Sequence, residues 1–211
     1  MTPKEMYYEK RAQILIKNLE SRHFEAYYCA NREEALKNAL ELIPEGSSVG
    51  WGGCMTATAM GLQDAIHAGN YRAMDRALCQ TAEEREKLQR EIFFADAFIT
   101  GANALSLDGQ MVNIDGTGNR VAPIVYGPGM VVVVAGMNKV EDTLDAAMNR
   151  ARTVAAPMNK QRFPNQTPCG VTGTCADCKS PESICNQILI TRSCRPAGRI
   201  KFILIGEDLG F

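Results

Sequence analysis

Histidine is scarce in this chain of 211 residues: there are two, His23 and His67. Neither lies near the loop cysteine Cys54, so no adjacent imidazole is on hand to activate that thiol, and a small turn residue is the simpler account of it. An excess of one charge sign is also missing. With 23 basic and 24 acidic residues the net charge is −1, which argues against a nucleic-acid groove or an anionic membrane surface held by charge alone. That leaves a small molecule or another protein as partner. No apolar run approaches the length that spans a bilayer, and the opening "MTPKEMYYEKRAQILIKNLESR" is charged throughout, unlike an export signal. A soluble, cytoplasmic protein without membrane insertion is expected. No internal repeat is visible.

What the chain does have is cysteine. Four of its eight fall within "CGVTGTCADCKSPESIC" (169–185), and Cys194 follows shortly after. In a reducing compartment such clusters serve more often as metal ligands or redox groups than as structural disulfides. Cys29 and Cys79, outside the cluster, read as buried packing groups.

Elsewhere the pattern alternates between strand and helix. Apolar residues at helical spacing over 4–19 predict an amphipathic helix, and "FEAYYCA" (24–30) a short strand. Asn31 and Glu34 resemble a capping box that opens a helix ended by Pro44 and Gly46. "SSVGW" (47–51) reads as a strand, "CMTATAMGLQDAIHAG" (54–69) as one helix, "YRAMDRA" (71–77) as a strand, and 82–95 as a charged helix. "AFITGANALS", "QMVNID" and "MVVVVAG" are strand-like, 140–156 is helical, and "IKFILIGE" (200–207) is a closing strand. This alternation predicts an α/β fold with a Rossmann-like, mainly parallel sheet flanked by helices, and the run "VVVV" belongs at its centre because a half-exposed strand would alternate. After Pro157 the periodicity stops. Residues 157–199 are therefore expected as a cysteine-rich insertion into a domain made of 1–156 and 200–211.

Two loops carry binding potential. "SVGWGGCMTATAMGL" places Gly52, Gly53, Cys54, Met55 and Thr56 between a strand and a helix, where glycine lets backbone N–H groups approach an anion. The loop matches neither the P-loop nor the GxGxxG pattern, so a plain tight turn stays open as an alternative. In "GANALSLDGQMVNIDGTGNRVA" polar groups crowd the ends of two strands: Asn103, Asn113, Asp115, Gly116, Gly118, Asn119 and Arg120. Ligands of open α/β sheets bind beyond the carboxyl ends of strands, and Arg120 supplies a permanent cation for a carboxylate or phosphate. Asp108, followed by Gly109, reads as a turn residue.

Cys169, Cys175, Cys178 and Cys185 offer four thiolates, enough for one coordination shell. Ligation would also supply the folding free energy that this aperiodic segment lacks. A zinc knot and an iron–sulfur cluster both stay open, because the segment has one CxxC step where a ferredoxin run has two. Disulfides or free thiols are further readings, and Cys194 is a spare ligand or a packed thiol.

The glycine loop, the block "TGANALSLDGQMVNIDGTGNRVAPIVYGPGMVVVVAGMNKV", the cysteine segment and the closing "ILIGEDLGF" together resemble the lactate-utilisation (LUD) domain family over nearly the whole chain. More distantly, "DGQMVNIDGTG" is similar to a loop of sugar-phosphate isomerases and CoA transferases, which share the NagB/RpiA/CoA-transferase-like fold. The resemblance implies a cleft for a small anionic substrate between the glycine loop and 113–120. It also implies a part in oxidising lactate to pyruvate, as an accessory or electron-transfer subunit alongside iron–sulfur partner proteins. A homo-oligomer is compatible with it. Two positions depart from the pattern: Cys54 stands where many relatives carry serine, and Asn103 where the distant isomerases carry a catalytic acid. An amide is no general base, so isomerase chemistry does not transfer to Asn103. A non-catalytic binding or regulatory protein with a structural zinc knot is the alternative function, and an isomerase or CoA-transferase-like enzyme a third.

Overall fold

The computed structural model describes residues 1–164 and 166–211; Asn165, inside the expected insertion, lies outside the described residues. The Thr2 side chain accepts from the Glu5 N–H while Glu5 takes the Thr2 N–H, a capping box that starts α1 (Pro3–Ser21) with proline in its first turn. β1 (Glu25–Cys29) follows, then α2 (Arg32–Leu42), capped by Asn31 accepting from the Glu34 N–H. β2 (Ser48–Trp51) leads through the glycine loop into α3 (Met55–Ala59) and α4 (Leu62–Ala68). The single helix expected over 54–69 is thus two, because Gly61 sits at φ 73°, a left-handed conformation that interrupts the helix.

β3 (Arg72–Met74) is shorter than expected, and Arg76–Leu78 turns away as a 3-10 helix. α5 (Ala82–Glu91) runs on into a short 3-10 turn. β4 (Ala97–Gly101) and β5 (Ala104–Ser106) divide what reads in sequence as one strand, and they belong to different sheets. The chain continues through β6 (Met111–Asp115), α6 (Val121–Val125), β7 (Met130–Gly136), a 3-10 turn at Met137–Lys139 and β8 (Val140–Glu141). α7 (Leu144–Arg150), a π turn (Ala151–Ala155) and α8 (Ala156–Lys160) make one helical course across the expected boundary at Pro157. α9 (Pro168–Thr172), β9 (Gln187–Thr191) and β10 (Ile200–Ile205) complete the chain.

The main sheet has the order β1-β10-β7-β4-β2-β3, all parallel. Its centre is apolar on both faces. Val131 and Val133 pack with Phe98, Phe202 and the α1 residues Leu15 and Leu19, while Val132 and Val134 pack on the other side with Ile99, Ile203, Ala35 and Ile66. Burial of both faces is why "VVVV" does not alternate. A smaller sheet, β8-β5-β6-β9, packs Ala104, Val112 and Ile114 against Ala147 and Ala151. β9 pairs antiparallel with β6 from Met111↔Thr191 to Asp115↔Gln187, so part of the expected insertion is built into this second sheet. Cys194 is likewise a core residue: its sulfur accepts from the Ile200 N–H at 3.3 Å, which settles it as a packed thiol. Cys29 is buried, whereas Cys79 is only half-buried. Among the described residues no helix is long and apolar enough to cross a membrane.

Candidate functional site

Parallel strands end on one side of a sheet, and the loops that leave β2, β4 and β7 bring Cys54, Ala102 and Lys139 to a shared cleft of about 280 Å³. The second sheet closes it with Ile114 and Asp115 at the end of β6. Glycine is required at one crossing. A Cβ on Gly52 would lie 2.7 Å from Cγ of Arg120, so only a bare backbone lets that side chain pass.

Arg120 is the hub of the floor. Its Nη1 donates to Asn113 Oδ1 (2.6 Å) and to the Gly101 carbonyl (3.2 Å), and its Nη2 to Asn103 Oδ1 (2.8 Å) and the Ile114 carbonyl (2.6 Å). Nε faces Asp115 Oδ2 at 3.7 Å. Burial pushes the guanidinium pKa down and Asp115 opposes that push. Its Nη donors therefore serve the protein, and Arg120 ties β4, β6 and the 115–120 loop together while also lining the cleft. Asp115 shapes that loop by accepting from the N–H groups of Thr117 (3.2 Å), Gly118 (3.0 Å) and Arg120 (3.1 Å). Gly118 takes φ 88°, a conformation that favours glycine. Asn103 Oδ1 accepts from both Arg120 and the Ile114 N–H, so the amide oxygen is held by the scaffold.

The cations left open are others. Arg76 and Arg162 face the glycine loop: their Nη2 and Nη1 lie 3.5 and 3.8 Å from where a Cβ on Gly53 would stand. Arg162 donates to Asn159 Oδ1 at 3.1 Å, and the Arg76 side chain has no hydrogen-bond partner among the described residues. Burial pushes the Arg76 pKa down, Arg162 and Arg85 add to the push, and Asp115 and Asp75 work against it. Two like charges held together at a cleft wall, one of them unpartnered, form a site that an anion would relieve. Lys139, 4% exposed, is the third cation at the wall; its Nζ donates to Thr56 Oγ1 (3.0 Å) and the Ala102 carbonyl (3.2 Å).

Of the residues expected at a substrate site, Gly53, Cys54, Met55 and Asn103 line the cleft, as do Asp115, Gly116, Asn119 and Arg120. Gly52, Thr56, Asn113 and Gly118 do not, and the first three act through the side chains they touch: Gly52 and Asn113 on Arg120, Thr56 on Lys139. Cys54 caps α3, its sulfur accepting from the Ala57 N–H at 3.4 Å. Sequence reasoning missed Arg76, Arg162 and Lys139. For Lys139 a signal exists: it is a lone cation directly after the apolar run "MVVVVAGMN", at the carboxyl end of the central strand.

Cys169, Cys175, Cys178 and Cys185 line one small pocket of about 80 Å³, with Ile114, Ile188, Ala156 and Pro157 among its other walls. Burial pushes the Cys185 thiol up to about 11 although its outer edge meets solvent, and the other three thiols add to the push. The donor chemistry fits a thiolate-bound metal centre, which reverses such shifts by its own charge. Among the described residues, however, no group of three or more His, Cys, Asp or Glu side chains is gathered tightly enough to hold a metal ion. An ion pair between Arg152 and Asp177 stands at the pocket wall. Ile114 lines both this pocket and the cleft, so the two adjoin at that residue.

The family model described as the LUD domain matches residues 12–205. No curated protein matches the chain. Among solved structures, the fold is similar to that of a DUF162 family protein from Deinococcus radiodurans, with TM-score 0.54 and 11% identity, covering 94% of this chain and 97% of that one. Ribose 5-phosphate isomerase A from Neisseria gonorrhoeae aligns with 54% of this chain and 54% of its own at TM-score 0.34 and 17% identity. The eIF2B delta chain from Chaetomium thermophilum aligns with 68% of this chain and 57% of its own at TM-score 0.36 and 14% identity.

Proposed function

Because the chain belongs to the LUD domain family, its match spanning residues 12–205, we propose that it serves lactate utilisation by binding a small 2-hydroxy or 2-oxo carboxylate, with a thiolate-bound metal centre next to that site. The observation that carries this reading is the pair Arg76 and Arg162 at a cleft whose wall, Ile114, is also a wall of the four-thiol pocket. The two guanidinium groups hold the carboxylate, and the backbone at Gly53, free of a side chain, admits it between them. Arg120 keeps Asn103, Asn113 and Asp115 in register beneath.

Turning a 2-hydroxy acid into a 2-oxo acid releases two electrons, which no side chain at the cleft can accept. An iron–sulfur centre on Cys169, Cys175, Cys178 and Cys185 would carry electrons one at a time toward iron–sulfur partner proteins, with the two-electron acceptor itself, a flavin or nicotinamide group, supplied by a partner subunit. The thiols' place across Ile114 favours this reading over a remote structural knot. The alternative is a non-catalytic binding protein in which zinc orders the segment, favoured by how few backbone hydrogen bonds 168–186 makes beyond local turns.

Anaerobic purification with metal analysis and a visible spectrum tests both, together with thermal melts in lactate, pyruvate and phosphate. Brown protein bleached by dithionite, and a melting point raised by the carboxylates, is the expected result; at a hundredfold excess over Kd the gain is about 2.7 kcal/mol. Colourless protein with one zinc would transfer the reading to the alternative. No response to any anion would overturn the cleft.

A further inference from the structure

Lys139 differs from the two arginines in how its nitrogen is held. It follows the central strand β7 and, among the described residues, forms no ion pair with a carboxylate. The Thr56 hydroxyl donates to the Leu209 carbonyl at 3.2 Å, so toward Lys139 it acts as an acceptor. Burial pulls the Lys139 pKa down to about 8; Arg150 and Arg120 pull in the same direction and Cys54 opposes them. A neutral amine carries two hydrogens and one lone pair. In the deprotonated form, Thr56 Oγ1 and the Ala102 carbonyl are acceptors for the two hydrogens and one lone pair is left, on a side chain that lines the cleft.

We infer that Lys139 is an amine nucleophile that forms a reversible imine with the carbonyl carbon of a small 2-oxo carboxylate held through its carboxylate by Arg76 and Arg162. The inference rests on the anion-cleft reading and goes beyond it, since binding alone needs no nucleophile. In the step, the nitrogen lone pair forms a C–N bond while the C=O π pair moves to oxygen, which takes one proton from the nitrogen. The carbinolamine then loses its hydroxyl together with the second nitrogen proton as water, leaving C=N. One carbonyl and one amine give one imine and one water, and no oxidant or reductant is consumed.

The test uses the full chain with pyruvate and sodium cyanoborohydride, which reduces an imine to a stable secondary amine. The expected result is one adduct per chain, located on the peptide containing Lys139, abolished in Lys139→Met and retained in Lys160→Met, whose buried amine donates to the Phe163 carbonyl instead. Inorganic phosphate should suppress trapping, and Arg162→Ala should lower it about tenfold at limiting pyruvate. Because Lys139→Met could disturb packing, the adduct map of the unaltered protein stands as an independent readout. If pyruvate and phosphate leave the melting point unchanged, the cleft reading itself is lost. If pyruvate raises the melting point but the label is absent from Lys139, or is spread over surface lysines and undiminished in Lys139→Met, the imine alone is overturned.

Discussion

The two pockets on either side of Ile114 are built in opposite ways. On the cleft side, the protein's own side chains tie the scaffold: Arg120 alone makes four side-chain hydrogen bonds to β4, β6 and the residues that follow them, and Asp115 accepts three backbone N–H groups. On the thiol side, α9 is five residues long and the backbone bonds are local, such as Gly170 to Thr167, Gly173 to Cys169 and Ser183 to Ser180. Asn186 to Asp115 is the link back to the sheet, just before β9 begins. A preformed site has its geometry before the ligand arrives. A segment poor in long-range bonds gains its order from what its side chains bind.

The largest effect should come from breaking the thiol side. With a metal centre held as proposed, Cys175→Ala, or chelation of the native protein, is expected to expose 168–186 to hydrogen exchange and protease while β7 stays protected. Structural zinc supplies about 10 kcal/mol in small modules, which sets the scale of the local loss. Unchanged exchange in that segment would make the two pockets alike after all.

Next is Arg120→Met, which leaves the buried acceptors on Asn103 and Asn113 and the Asp115 carboxylate without their cation. Loss of one partner of a buried pair costs about 3–5 kcal/mol, so a denaturant melt should show a large drop together with weakened anion binding. Arg162→Ala sharpens the contrast, because its side chain is exposed and, among the described residues, bonded only within its own turn. Stability should hold within about 0.5 kcal/mol while phosphate affinity falls about tenfold in calorimetry.

The smallest effect is a control outside both pockets. The hydrogen bond from Lys201 holds the Glu25 carboxyl below its ordinary value of 4.5, with burial opposing. A lowered folded-state pKa gives stability that is present above the unfolded value and lost as the pH falls through the folded one. Glu25→Gln should therefore cost below about 1 kcal/mol near neutral pH, and the difference from the parent should close as acid is added.

These contrasts also mark what was legible in the sequence. The Asn31 cap and the four consecutive valines state their roles locally, through side-chain chemistry and burial on both faces, and the helix and the central strand lie where those signals place them. The division of "AFITGANALS" was hidden because both halves are apolar; which sheet each half joins is decided by partners far away in sequence, Val131–Val134 for one and Met111–Val112 for the other. The cleft was half legible for the same reason. Its floor comes from contiguous motifs, whereas Arg76, Lys139 and Arg162 arrive from three separate loops, and nothing near each in sequence announces the others. The bonds of Arg120 were equally hidden, because an arginine in a polar loop does not announce that Gly101, Asn103 and Asn113 take its Nη donors.

The close passage of Arg120 over Gly52 binds those two positions into a single heritable unit. Any side chain introduced at 52 needs a slimmer residue at 120, and a slimmer residue at 120 leaves the amides and the acid beneath it unserved. Mutational drift at either place is thus blocked by the other, and a descendant could leave this arrangement only by changing both together.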